Sequence, residues 1–115
     1  MTEKQIDFAK MDGLVPAVVQ DAKTLEVLMV GFFNKESYAK TLETGFVTFW
    51  SRTRQKLWMK GETSGNRLRV VDASTDCDQD TLLFRVEVEG DGLVCHEGTV
   101  SCFTRPVEVA VAVRS

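Results

Sequence analysis

Three cysteines, a run of alternating aspartates and a single histidine are the residues of this 115-residue chain best equipped to bind and use a metal. Cys77, Cys95 and Cys102 are separated by 17 and then 6 residues. No C-x-x-C pair occurs, so treble-clef, ribbon and ferredoxin-like sites do not fit. Spacing alone leaves two readings, buried small hydrophobes (the commoner case) and metal ligands. Their neighbours favour ligands. Cys77 lies within Asp76-Cys77-Asp78-Gln79-Asp80. In an extended segment side chains alternate, which puts Asp76, Asp78 and Asp80 on one side and Cys77 on the other. Carboxylates so spaced repel one another, and a hard ion such as Mg²⁺ relieves the repulsion. The thiolate suits a softer ion such as Zn²⁺. One short segment would then serve two metals on opposite faces; a solvated acidic loop is the plain alternative. The carboxylate spacing also invites an EF-hand reading. Thr81 stands where that loop needs glycine, and the residues after it read as a strand, so the EF-hand is rejected.

His96 follows Cys95 and is the only histidine. Three thiolates leave one position of a tetrahedral zinc open, as hydrolysis requires. Water there has its pKa lowered towards neutrality and becomes a nucleophile. His96 either completes the tetrahedron or accepts a proton as general base. Adjacent to Cys95, it can point away from that ligand's direction, which favours the base. A packed or surface histidine is the plain alternative.

A second constellation spans residues 50–66. It holds Arg52, Arg54, Lys56 and Lys60 together with Ser51, Thr53, Gly61, Thr63, Ser64 and Gly65. Guanidinium groups, hydroxyls and glycine-exposed backbone N–H groups are the usual means of holding phosphate. The Walker A pattern is absent. The alternative is a solvated hairpin with Trp50 and Trp58 packed beneath it.

The rest of the chain must position these groups. Lys plus Arg number 14 and Asp plus Glu 17, giving a net charge of −3, which argues against a general nucleic-acid binder. Apolar residues make up 43% and charged residues 27%, as in a soluble globular domain. No apolar run approaches the ~18 residues of a membrane span, and the N-terminus lacks a signal-peptide core. The expectation is one cytoplasmic domain covering residues 1–115, with its thiols reduced.

Strands are expected at 15–20, 26–33, 46–51, 57–59, 67–72 and 81–89, and the valines of 107–113 alternate again. Asn34 reads as an N-cap and Gly45 as a C-cap, so the helix is expected over 35–44, with Tyr38, Ala39 and Leu42 on one face. The fold class expected is α+β, a strand-rich antiparallel sheet with one clear helix.

In combination these segments resemble the phosphoribosyl-AMP cyclohydrolases of histidine biosynthesis. The resemblance runs roughly over residues 6–103. It rests on Gly13-Leu14-Val15-Pro16-Ala17-Val18-Val19-Gln20-Asp21, on Trp50-Ser51-Arg52 and on Lys60-Gly61-Glu62-Thr63-Ser64-Gly65-Asn66. Asp76-Cys77-Asp78-Gln79-Asp80, Cys95-His96 and Ser101-Cys102-Phe103 complete it. It implies that water opens the N1–C6 bond of the adenine ring of phosphoribosyl-AMP, the third step of the pathway. It implies zinc on Cys77, Cys95 and Cys102, magnesium on Asp76, Asp78 and Asp80, and His96 in catalysis. Ser51, Arg52, Lys60, Gly61, Glu62, Thr63 and Ser64 would bind the substrate and its phosphates. It further implies a homodimer with one zinc per subunit at the interface, Cys77 of one chain facing Cys95 and Cys102 of the other. No nucleic acid or membrane partner is expected. The chain would lack a fused pyrophosphohydrolase domain, leaving the preceding step to another protein. Thr99 stands where family members often carry arginine, and Gly31-Phe32-Phe33 replaces a more usual Ala-Tyr-Met-like stretch.

Two other readings compete. A zinc nucleobase deaminase shares the chemistry, but its H-x-E and P-C-x-x-C signature is absent. A zinc-stabilised binding module would need a closed four-ligand site and would unfold when stripped of metal.

Overall fold

The computed structural model describes residues 6–110. After a short 3-10 helix at Phe8–Met11, the chain forms β1 (Val15–Asp21), β2 (Val27–Phe33), α1 (Lys35–Thr44), β3 (Thr48–Ser51), β4 (Lys56–Met59), β5 (Leu68–Thr75) and β6 (Leu82–Val88). Four strands make one sheet in the order β2-β1-β6-β5, and β3 and β4 form a separate antiparallel ribbon.

β1 and β2 are a hairpin. Its turn is closed by the Asp21 carboxylate, whose Oδ1 accepts from the N–H of Lys23 at 2.8 Å and of Thr24 at 2.9 Å. β6 alternates as expected, burying Leu82, Phe84 and Val86 beside Val15, Ala17 and Val19 of β1. The expected all-antiparallel sheet needs correction, because β1 and β6 run parallel and the sheet is mixed. A parallel pair requires a long crossover, and here α1, β3, β4 and β5 supply it. No local pattern in either strand records that pairing.

α1 begins and ends where its caps predict. Asn34 Oδ1 accepts from Ser37 N at 2.8 Å and Ser37 Oγ accepts from Asn34 N at 3.0 Å, a reciprocal capping box. Gly45 takes the left-handed conformation at φ 80° and donates to Thr41 O. The buried face differs from expectation. Leu42 is 57% exposed and Ala39 is exposed, whereas Ser37 and Thr41 are buried. The reason is a hydrogen bond: Thr41 Oγ1 accepts from Thr48 N at 2.9 Å and so ties the helix to β3.

The ribbon packs on the sheet through aromatic rings. Phe49 stacks at 5.1 Å from Phe33 and 5.7 Å from Trp58, and Phe33 lies 5.2 Å from Phe84. Gly31 is part of this arrangement, since a Cβ there would overlap the Phe49 ring. The glycine in Gly31-Phe32-Phe33 therefore makes room for Phe49.

Three further boundaries shift. The strand expected at 46–51 begins at Thr48, leaving Phe46 in an isolated bridge to Arg69, and the strand expected at 67–72 runs on to Thr75. Residues 107–110 pair with no strand, and Val107 and Val109 stand exposed; 111–113 lie outside the described residues. Alternation makes a strand only where a sheet edge offers partners. Among the described residues, no helix is long and apolar enough to cross a membrane.

Candidate functional site

The basic segment is built as a ribbon followed by a tight loop. At the β3–β4 turn, Ser51 Oγ accepts from Arg54 N at 3.2 Å and Gln55 adopts φ 54°. Beyond β4 the chain coils through residues 60–66, closed by Gly65 N donating to Gly61 O at 2.8 Å. Gly61 sits at φ 83°, and a Cβ there would overlap the Asn66 carbonyl, so both conformation and space require glycine.

The thiol segment follows a turn at residues 90–92. Cys95 N donates to Thr99 O at 3.0 Å and Gly98 N to Cys95 O at 2.9 Å, which folds 95–99 into a compact loop. The strand of chain after it is pinned to β2: Cys102 N donates to Leu28 O at 2.7 Å, and the buried Ser101 donates from Oγ to Val27 O at 2.8 Å. Folding brings Cys95 and Cys102 near enough for each thiol to feel the other's charge. The backbone N–H of Glu97 holds the Cys95 thiol below its usual range, while burial and the neighbouring Cys95 push Cys102 up. Two neighbouring thiols of opposite tendency form a soft donor pair that fits zinc in type. His96 is exposed beside them, and Glu97 is held by Arg105, whose Nη2 lies 2.9 Å and 3.1 Å from its carboxylate oxygens.

The acidic residues converge as expected, by a different geometry. Residues 77–79 form a turn, with Gln79 at φ 66°, and the segment is not extended. The turn brings ligand oxygens of Asp76, Asp78 and Asp80 within 4.8 Å of one another. Asp76 Oδ1 accepts from Asp80 N at 3.0 Å and Thr81 N at 3.2 Å. Desolvation raises Asp76, but these N–H groups outweigh it and hold the carboxyl low. Asp80 is pushed up by desolvation and by the adjacent Asp76 and Asp78 carboxylates. Lys10 partly offsets the charge, donating to Asp78 O at 2.7 Å with Asp80 Oδ2 3.8 Å away. An oxygen-only donor set of this kind fits a hard divalent cation. Cys77 is exposed on the same turn, and among the described residues this acidic trio is the only such cluster of potential ligands. A single chain therefore does not gather Cys77 with Cys95 and Cys102.

A cleft of about 390 Å³ joins the basic loop to the thiol segment. Lys60, Gly61, Glu62, Thr63 and Ser64 line it together with Cys95 and His96. Ser51 and Arg52, expected with them, do not. Ser51 caps the β3–β4 turn, and the Arg52 guanidinium stacks 4.1 Å from the Phe32 ring centroid. Cys102 and the acidic turn also lie outside the cleft lining. Arg54, one of the basic residues noted for phosphate, lines it too, as do Trp58, Asn66 and Gly98, which were not assigned to the site from sequence. Leu93 and Val94 line it as well, and nothing in their types marked them.

Residues 29–104 match the phosphoribosyl-AMP cyclohydrolase family. The chain is 60% identical over 103 residues to the phosphoribosyl-AMP cyclohydrolase of Solibacter usitatus, covering 90% of this chain and 81% of that protein. It is 57% identical over 104 residues to that of Desulfatibacillum aliphaticivorans, covering 90% and 82%. A histidine biosynthesis bifunctional protein of Bacteroides thetaiotaomicron is 58% identical over 99 residues; the match covers 86% of this chain and 48% of that protein, about half its length. The chain belongs to the phosphoribosyl-AMP cyclohydrolase family.

Proposed function

We propose that this chain hydrolyses the adenine ring of phosphoribosyl-AMP in histidine biosynthesis, opening the bond between N1 and C6 in the pathway's third step. Water adds at C6, the C6–N1 bond breaks, N1 gains a proton and C6 becomes the carbonyl carbon of a carboxamide. The observation that carries this reading is that Cys95 and His96 share one cleft with residues 60–64, in a chain closely similar to named cyclohydrolases. Lys60 and Arg54 supply positive charge, and Thr63 and Ser64 supply hydroxyls and N–H groups, for the phosphates. His96, which lines the same cleft beside Cys95, is assigned to take the proton of the attacking water as general base.

Zinc is assigned to Cys95 and Cys102 of one protomer with Cys77 of its partner, because the two former thiols are neighbours and the third is not grouped with them in the same chain. A thiolate-held zinc ion supplies the Lewis acidity that makes water nucleophilic near neutral pH. Magnesium is assigned to Asp76, Asp78 and Asp80. The assembly is then a homodimer of the cytoplasm, acting on a small molecule without nucleic acid or membrane.

The test is turnover of phosphoribosyl-AMP by purified protein, followed by the ultraviolet change on ring opening. Chelation should abolish it, and zinc with magnesium should restore it. Absence of ring opening by metal-loaded protein, or release of ammonia in its place, would refute the reading.

A further inference from the structure

The geometry points to Asn66 as a positioning residue that sets the distance between the two walls of the cleft. This rests on the function proposed above. Asn66 is 8% exposed, although residues 62–65 before it are all exposed. Its amide spans to the other wall. Nδ2 donates to Leu93 O at 2.9 Å, and Oδ1 accepts from Asp91 N at 3.0 Å. Leu93 is two residues before Cys95 and three before His96. On its own wall, Asn66 follows the residues 60–64 assigned to substrate.

The clamp continues the sheet where its backbone ladder ends. Glu89 N donates to Arg67 O at 2.8 Å, and beyond that point the side-chain amide takes over the bonding between the two segments. An amide both donates and accepts, so one asparagine replaces a peptide group there. Two glycines admit it. A Cβ at Gly90 would overlap Asn66 Oδ1, and a Cβ at Gly61 would overlap the Asn66 carbonyl. Both glycines also have positive φ, so neither position accepts a side chain without strain. The backbone has thus been shaped around this one residue from both sides.

The consequence is specific to the reaction. Phosphate binding depends on residues of one wall, while ring opening depends on the ring's place against the other. Loss of the clamp shifts the second against the first. A misplacement of about 1 Å costs up to about a hundredfold in rate. Affinity for phosphate-bearing ligands, a uniform binding contribution, stays.

Asn66→Asp keeps the acceptor for Asp91 N but sets a carboxylate oxygen against Leu93 O in place of the donor, so that bond is lost and replaced by repulsion. Asn66→Ala removes both. With phosphoribosyl-AMP as substrate and AMP as binding probe, kcat per folded site should fall about ten- to a hundredfold in both, with the AMP affinity of the neutral Asn66→Ala within about threefold of the parent protein. Asn66→Gln, longer by one methylene, should recover part of kcat in the Ala background's place. A role confined to folding predicts a lower melting temperature with unchanged kcat per folded site, and that result would overturn the proposal. Equal losses of kcat and AMP affinity would overturn it too. Should Asn66→Ala not fold, the neutral Asn66→Ser, too short to span to Leu93 O and Asp91 N, takes its place with the same expected outcome. Failure of the parent protein to open the ring would instead count against the proposed function, and is read from the same plate.

Discussion

Ser101→Ala separates the anchoring of the thiol segment from its chemistry. Ser101 is 5% exposed and makes two good hydrogen bonds, donating to Val27 O at 2.8 Å and accepting from Phe103 N at 2.9 Å. Each such bond contributes a net ~0.5–1.5 kcal/mol. Val27 and Phe103 are exposed residues and both bonds are only part-buried, which eases solvation of the freed groups. That places the loss at about 1–2 kcal/mol, towards the lower half of the summed range. At about 4 °C per kcal/mol for a domain near this size, the melting temperature should fall by about 4–8 °C. Cys102 keeps its own bond to Leu28 O at 2.7 Å, so its thiol stays in place. Zinc content per chain should therefore be unchanged, and kcat should stay within about threefold of the parent. Urea unfolding at one protein and one zinc concentration gives the first number, because any self-association or metal binding shifts apparent stability by mass action. Unchanged stability with lost activity would refute the reasoning, since Ser101 would then act in the reaction and not as an anchor.

Four further outcomes are expected. His96→Ala should retain zinc by elemental analysis and lose about a hundredfold in kcat, the scale of a general base; loss of zinc would make the histidine a ligand. Asp78→Asn should keep zinc while weakening magnesium binding by calorimetry, because one of three converging carboxylates is neutralised. Gly31→Ala should cost about 1–3 kcal/mol in urea unfolding, as its methyl group meets the buried Phe49 ring between Phe33 and Trp58. The Asp21 carboxyl is held below the usual carboxylate range by the Thr24 N–H, so its contribution to stability is full above the unfolded pKa near ~3.9 and is lost as pH falls through the lower folded value. Asp21→Asn should flatten the acid limb of a stability–pH curve below pH ~4 and leave its slope above that unchanged.

What the sequence determined by itself was local. α1 could be bounded because Asn34, Ser37 and Gly45 act within a turn of their own positions. The buried face of β6 could be read because alternation is a property of one strand. That Asp76, Asp78 and Asp80 could form one cluster of oxygen donors was legible from residue type and spacing, and residues 60–64 stood out by their basic, hydroxyl and glycine composition. Tertiary structure decided everything that depends on a partner distant in the chain. β6 lies parallel to β1 because of the crossover between them, and Thr41 turns α1 onto β3 by a hydrogen bond that hydrophobic periodicity does not register. A turn, not an extended strand, brings the three carboxylates together. Cys95 meets Cys102, and Lys60 shares a cleft with His96, only once their segments are tied to β2 and to Asn66. Asn66 itself shows the limit most plainly. Its partners are 25 and 27 residues away, and a polar side chain that serves as a backbone bridge has no signature in its neighbours.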